Sequence, residues 1–160
     1  MPSKASTAQE SIALLREVGD KVYQAGALDA WGRIALAQED NPAALRHFLD
    51  GLALQQKTKN LRHTPSMLEG VAQLVIASGR PHVAIRLLAV AATLRDHIGL
   101  ARLEVDRAGY ERVLASLRDP LDEASFQALW AEGCSLTTAE AIDLAAEIHP
   151  GHTDVLPNQG

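Results

Sequence analysis

Residues 8–60 and 48–100 carry one pattern twice, forty positions apart. The offset carries Ile12 to Leu52, Leu14 to Leu54, Leu28 to Leu68 and Trp31 to Val71. It then carries Gly32 to Ala72, Ala35 to Val75, Ala44 to Ala84, Phe48 to Leu88 and Gly51 to Ala91. A second step brings Gly19–Asp20 close to Ile98–Gly99, a partial third copy. A fixed period of roughly 20–50 residues marks a solenoid, whose units bury their apolar faces only by stacking on one another. Such arrays mostly bind other molecules, so the repeat points to an interaction module without naming what it binds.

Composition supplies the secondary structure of the unit. Alanine and leucine are abundant, aromatics are 4% of the 160 residues, and runs of β-branched residues are missing, a balance that favours helix. Capping signals divide the chain. Ser6 and Gln9 form a capping box for a first helix carrying Ile12, Leu15 and Val18. A second helix spans about 21–38. Asn41–Pro42, Thr64–Pro65 and Arg80–Pro81 open three more, which end near Thr58, Ser78 and Ile98. The last of these is apolar nearly all round, as a helix covered on both sides should be. After Gly99 the period breaks. Helices are expected over 104–118, after the Asp119–Pro120 cap with Asp122, and after the Thr137/Glu140 capping box. The expected division is therefore repeats at about 8–20, 21–60 and 61–100, a cap over 101–149, and a flexible tail from 150 to 160.

Within each unit the order is Leu28, Trp31, Gly32, Ala35, Ala44, Phe48, Gly51, and then Leu68, Val71, Ala72, Val75, Ala84, Leu88, Ala91. This pattern resembles the tetratricopeptide repeat, with small residues where paired helices approach and large ones between them. The stretch ASGRPHVAIRLLAVAATLRDHIG resembles something narrower, together with Tyr110–Glu111–Arg112, Phe126, Leu129–Trp130–Ala131–Glu132–Gly133 and Thr137 through Ile142. It is similar to the C-terminal part of bacterial LuxR-type, MalT-like and SARP-type regulators, in which a STAND ATPase and a DNA-binding domain precede such a region. The resemblance covers about residues 8–148. It implies an all-α, right-handed superhelical array with a C-terminal helical cap, and a regulatory or sensing role. No phosphate-binding loop of the G-x-x-x-x-G-K-[ST] type and no basic recognition helix occur, so the ATPase and DNA-binding activities do not carry over.

Charge and chemistry narrow the function further. Net charge is −5, and no Lys or Arg follows Arg118, whereas eight acidic residues do. A chain without a basic cluster is not expected to bind nucleic acid. No apolar stretch is long enough to cross a bilayer, and one cysteine, Cys134, fits a reducing cytoplasm. Cys134 is expected to be buried and inert, and Trp31 and Trp130 to pack into the core. His149 and His152 are three apart but lie in the Pro/Gly tail, where no framework fixes them, and His47, His63 and His97 lack a ligand partner on a shared face, so no metal, cofactor or catalytic site is expected, and the chain is read as no enzyme.

The remaining candidate is the groove that the first helix of each unit lines in tetratricopeptide arrays. By the repeat register, Asp29, Arg33 and Leu36 in one unit and Glu69, Gln73 and Ile76 in the next would project there. The expected occupant is a protein or peptide; the alternative is a small effector sensed in the same groove. Residues 8–18 match the second helix of a unit whose first helix is not in the sequence. The expectation is therefore either a longer natural chain or self-association through Ala8 and Leu14, most simply as a two-fold homodimer. Gly32, opposite Ala72 in register, should mark a close helix approach, where Leu would overpack and Ala would be tolerated.

Overall fold

Proline and capping residues place the helix starts, and left-handed residues place several of the ends. The structure, a computed structural model, describes Glu10, Ala13 and residues 20–148. Among these it contains seven helices and no strand: α1 (Lys21–Ala37), α2 (Asn41–Thr58), α3 (Thr64–Ala77), α4 (Pro81–Ile98), α5 (Glu104–Arg118), α6 (Glu123–Ser135) and α7 (Thr138–Ala146). The expected boundaries hold to within a few residues. Ser6, Gln9, Ala8, Leu14 and the 150–160 tail lie outside the described residues. None of the described helices is long and apolar enough to cross a membrane.

Three caps sit elsewhere than expected. Asp40 caps α2, its Oδ1 accepting from the Ala43 N–H at 3.2 Å, so that Asn41 is the first helical residue. His63, without a side-chain cap, precedes α3, and its N–H instead donates to Gln55 Oε1 at 3.0 Å. Asp122 rather than Asp119 caps α6, accepting from Ser125 N at 2.7 Å. The Thr137/Glu140 box forms in full, with reciprocal bonds of 3.1 and 2.8 Å.

Two pairs of turns forty positions apart share a backbone conformation. Glu39 and Gly79, one period apart, both take positive φ, 59° and 74°, where α1 and α3 give way to the next helix. Lys59 and Gly99 do the same after α2 and α4, with φ 55° and 69°. These turns fold α1 against α2 and α3 against α4 as hairpins. Gly32 and Leu28 of α1 face Phe48 and Gly51 of α2, a pairing whose residue numbers run in opposite directions, so the two helices are antiparallel.

The junction between hairpins centres on one ring. Phe48, fully buried, lies between two glycines: a Cβ on Gly32 would stand 2.5 Å from its ring, and one on Gly70 of α3 2.4 Å. Gly51 accepts Met67 of α3 in the same manner. The first helices α1 and α3 run parallel, since Gly26 faces His63 and Asp29 meets Ser66. The core continues through Leu52, Leu68, Val71, Val75, Ile85, Leu87 and Leu88. Because α4 meets α3, α6 and α7, it buries residues on nearly every side.

The last three helices take three different positions. α6 continues the stacking: Gly133 brings it against Ala89 and the backbone of Arg86, and Arg86 Nε donates to Glu132 at 2.7 Å. α7 turns back across α2, α3 and α4, burying Ala141, Ile142 and Ala145. α5 is held lightly, with Leu117 its one fully buried residue.

Two expected core positions are corrected. Trp31 is 50% exposed and rests on the His47 ring, 5.9 Å between centroids. Its register partner Val71 is fully buried because α3 has α1, α2, α4 and α7 around it, whereas α1 packs on α2 and α3. Cys134 is exposed, because Gly133, one position earlier, is the residue turned toward α4. Trp130 is half-buried, stacked on Phe126 at 5.9 Å.

Candidate functional site

Because α5 does not pack tightly on the hairpins, a cavity of about 440 Å³ remains between it and α1, α3 and α4. Four arginines, Arg33, Arg95, Arg102 and Arg112, line it against two carboxylates, Glu69 and Asp106. Glu69 organises the wall. Its carboxylate is 8% exposed and receives Arg95 Nε at 2.9 Å and Nη2 at 3.1 Å. It also receives Arg102 Nη1 at 3.2 Å and Nη2 at 2.6 Å. Arg102 in turn lies over the Tyr110 ring, 3.6 Å from its centroid, and so couples α5 to α3. Burial alone would push the Glu69 carboxyl up. The hydrogen bonds from Arg102 and Arg95, with their charges, outweigh it and hold the carboxyl below the ordinary carboxylate value. Burial raises the Tyr110 phenol, against the opposing charge of Arg102.

The six groove candidates divide by depth. Arg33, Glu69 and Gln73 line the cavity. Asp29 is buried beside it, accepting from Ser66 Oγ at 3.0 Å, with Arg33 Nε at 3.4 Å and His63 Nδ1 at 3.9 Å. Arg33 also donates to the Ser66 hydroxyl, and through Nη2 to the Ser66 carbonyl at 3.0 Å. Leu36 and Ile76 are half-buried and pack on the core rather than on the cavity. Asp29 and Glu69 thus share more than register. Each is a buried first-helix carboxylate that binds side chains lying after it in the chain, within reach of the next element.

Sequence reasoning did not find Arg95, Arg102, Tyr110 or Arg112 as cavity residues. Three of them lie beyond Gly99, where the period stops predicting positions. Arg95 does have a periodic clue: it stands in the register of Gln55, the buried amide that binds the start of α3.

The arrangement is suited to holding charge. Ser66 donates to Asp29, but its oxygen also accepts from Arg33, which withdraws electron density from it, and the His63 ring stands on Asp29 instead of on the hydroxyl. Among the described residues no group of three or more His, Cys, Asp or Glu side chains is placed to hold a metal ion.

Three curated proteins match this segment, one from Mycobacterium bovis and two from strains of Mycobacterium tuberculosis, each named as a candidate HTH-type transcriptional regulator. Each is 32% identical over 121 residues, covering 72% of this chain but 12% of the regulator. The chain therefore spans a small part of the length of these relatives. No family model matches the sequence, and no solved structure matches it.

Proposed function

We propose that this chain is a non-catalytic, protein-binding regulatory module of the kind carried by bacterial transcriptional regulators, built as a tetratricopeptide-like array. The observation that carries this reading is the 32% identity to a segment forming 12% of three such regulators. The hairpins support it physically. Equivalent turns at Glu39/Gly79 and Lys59/Gly99, with parallel first helices, are what a stacked helical repeat requires. Partner contact falls to the exposed apolar side chains of α1, Tyr23, Trp31 and Ile34, which are 69%, 50% and 54% exposed. DNA recognition belongs to other parts of such regulators, since the described helices carry mixed charge and the chain is acidic.

The test is genetic and biochemical together. Deleting the coding sequence and profiling transcripts should change a defined gene set that complementation restores. A Trp31→Glu/Ile34→Glu variant, folded by circular dichroism, should fail to complement. Purified chain should not retard DNA at physiological salt. Unchanged transcripts, full complementation by the variant, or a DNA shift by the chain alone would each overturn the proposal.

A further inference from the structure

We infer that the cavity between α3, α4 and α5 is a binding site for a small organic polyanion, a phosphate ester or a di- or tricarboxylate, held by the arginines that Glu69 positions. The volume of about 440 Å³ lies within the range of small-molecule sites. The wall carries four guanidinium groups; Arg33 is paired with Asp29 beside the cavity, and Arg95, Arg102 and Arg112 stand against Glu69 and Asp106, a local positive excess in a chain of net charge −5.

The donors are also unexhausted. A guanidinium has five N–H groups in a fixed fork. Arg95 gives Nε and Nη2 to Glu69, which leaves its Nη1 for another acceptor, while Arg102 gives Nη1 and Nη2 to Glu69 and also engages Tyr110. Glu69 therefore fixes the orientation of two arginines without using all of their donors. Arg112, across the cavity on α5, makes no ion pair with a carboxylate among the described residues; its Nη2 lies 3.7 Å from where a Cβ on Gly109 would stand. Leu88 and Val113 add apolar wall, which suits a carbon skeleton better than a bare inorganic ion.

Such a ligand would bridge Arg95 on α4 and Arg112 on α5. Since α5 buries only Leu117 fully, the bridge would fix a helix that is otherwise lightly held. Ligand occupancy would then be read out as the position and order of α5. This site specifies the effector alternative expected for the groove and stands apart from the protein-docking role. The transcript and complementation tests can fail while probe binding succeeds, and the reverse.

Titration calorimetry with citrate and with phosphoenolpyruvate tests it, the two probes separating a polycarboxylate from a phosphate ester. At least one should bind saturably at one per chain and slow amide exchange in α5. Arg112→Gln should weaken binding about tenfold, the worth of one charge-assisted hydrogen bond. Arg107→Gln removes an equal charge from the same helix at a residue that pairs with Glu104 and does not line the cavity, and should leave binding unchanged. Three results overturn the site: no saturable binding at about 10 mM probe, well above a weak dissociation constant of about 1 mM; unchanged binding in Arg112→Gln; or equal weakening by Arg107→Gln.

Discussion

Phe48 is the side chain on which both hairpins close, and its surroundings make an unusual demand of the glycines beside it. Replacing Gly32 with Ala puts a methyl carbon 2.5 Å from the ring, and Gly70→Ala puts another 2.4 Å from it. A ring pressed from one side could ordinarily retreat, but here retreat from Gly32 closes on Gly70. Overpacking of this kind costs about 1–3 kcal/mol, and a ring held from both sides belongs in the upper half of that range. Ala in place of a helical Gly returns about 1 kcal/mol through backbone entropy. Each single variant should therefore lose about 1–2 kcal/mol, although helix propensity alone predicts a gain. The structure thus revises the sequence-based expectation that Ala is tolerated at 32. Urea unfolding followed by far-ultraviolet circular dichroism measures the change. The decisive comparison is a cycle with Phe48→Leu, which removes the ring and keeps much of the core volume. In that background Gly32→Ala should become neutral or stabilising, a coupling of at least about 1 kcal/mol. Gly109→Ala in α5, with nothing closer than Arg112 at 3.7 Å, is the control and should stabilise in both. A raised unfolding midpoint for Gly32→Ala in the unmodified protein, or an equal penalty in both backgrounds, would refute the clamp.

Three further outcomes follow from local geometry. Lys59 holds a left-handed backbone at φ 55° where its register partner is glycine, so Lys59→Gly should gain about 1 kcal/mol and Gly99→Ala should lose about as much, read from melting temperature. Glu69→Gln should cost about 3 kcal/mol by leaving two arginines around a neutral group, measured by chemical denaturation. The folded carboxyl of Glu69 sits below its unfolded value. Its contribution is therefore fully present above the unfolded carboxylate range, near about pH 4.3, and is lost as pH falls through the lower folded value. An acid-unfolding curve for the Gln variant should lack that component. Thr137→Ala removes one half of the capping box and should cost about 1 kcal/mol, with the effect confined to α7 in amide exchange.

How much of this was legible depends on whether the information is periodic. The helix class, most boundaries and the close approach at Gly32 all follow from apolar spacing and from residues with restricted backbones, which act locally. The offset of forty marks turns of like backbone conformation at Glu39/Gly79 and Lys59/Gly99, since a left-handed residue is needed wherever a helix stops in this manner. Cap placement slipped where two polar residues compete: Asp40 stands before Asn41, and Asp122 after Asp119, and only the three-dimensional turn selects between them. Trp31 was misplaced because register equivalence holds for the backbone but not for the surroundings. The position of Val71 is interior in one hairpin, and that of Trp31 is peripheral in the other.

The cavity shows where periodicity stops informing. Asp29 and Glu69 stand one period apart, and pattern alone assigns both to an open groove as exposed lining. In the fold both are buried, because a carboxylate on the first helix lies where later elements return against it, and there it can be kept only if those elements bring donors. For Asp29 the donors come from the next repeat, Ser66 with His63 nearby. After Gly99 there is no further repeat to supply them, and Glu69 is instead met by Arg95 and by Arg102 in the connection to α5. Two guanidiniums on one carboxylate leave a positive excess, whereas Ser66 with the Arg33 side chain leaves Asp29 locally balanced. The break in the repeat is therefore what makes the second site chemically different from the first. Of the side chains responsible, Arg95 stands in the register of Gln55, whereas Arg102 lies on the non-repeating segment, whose positions no offset of forty could have supplied.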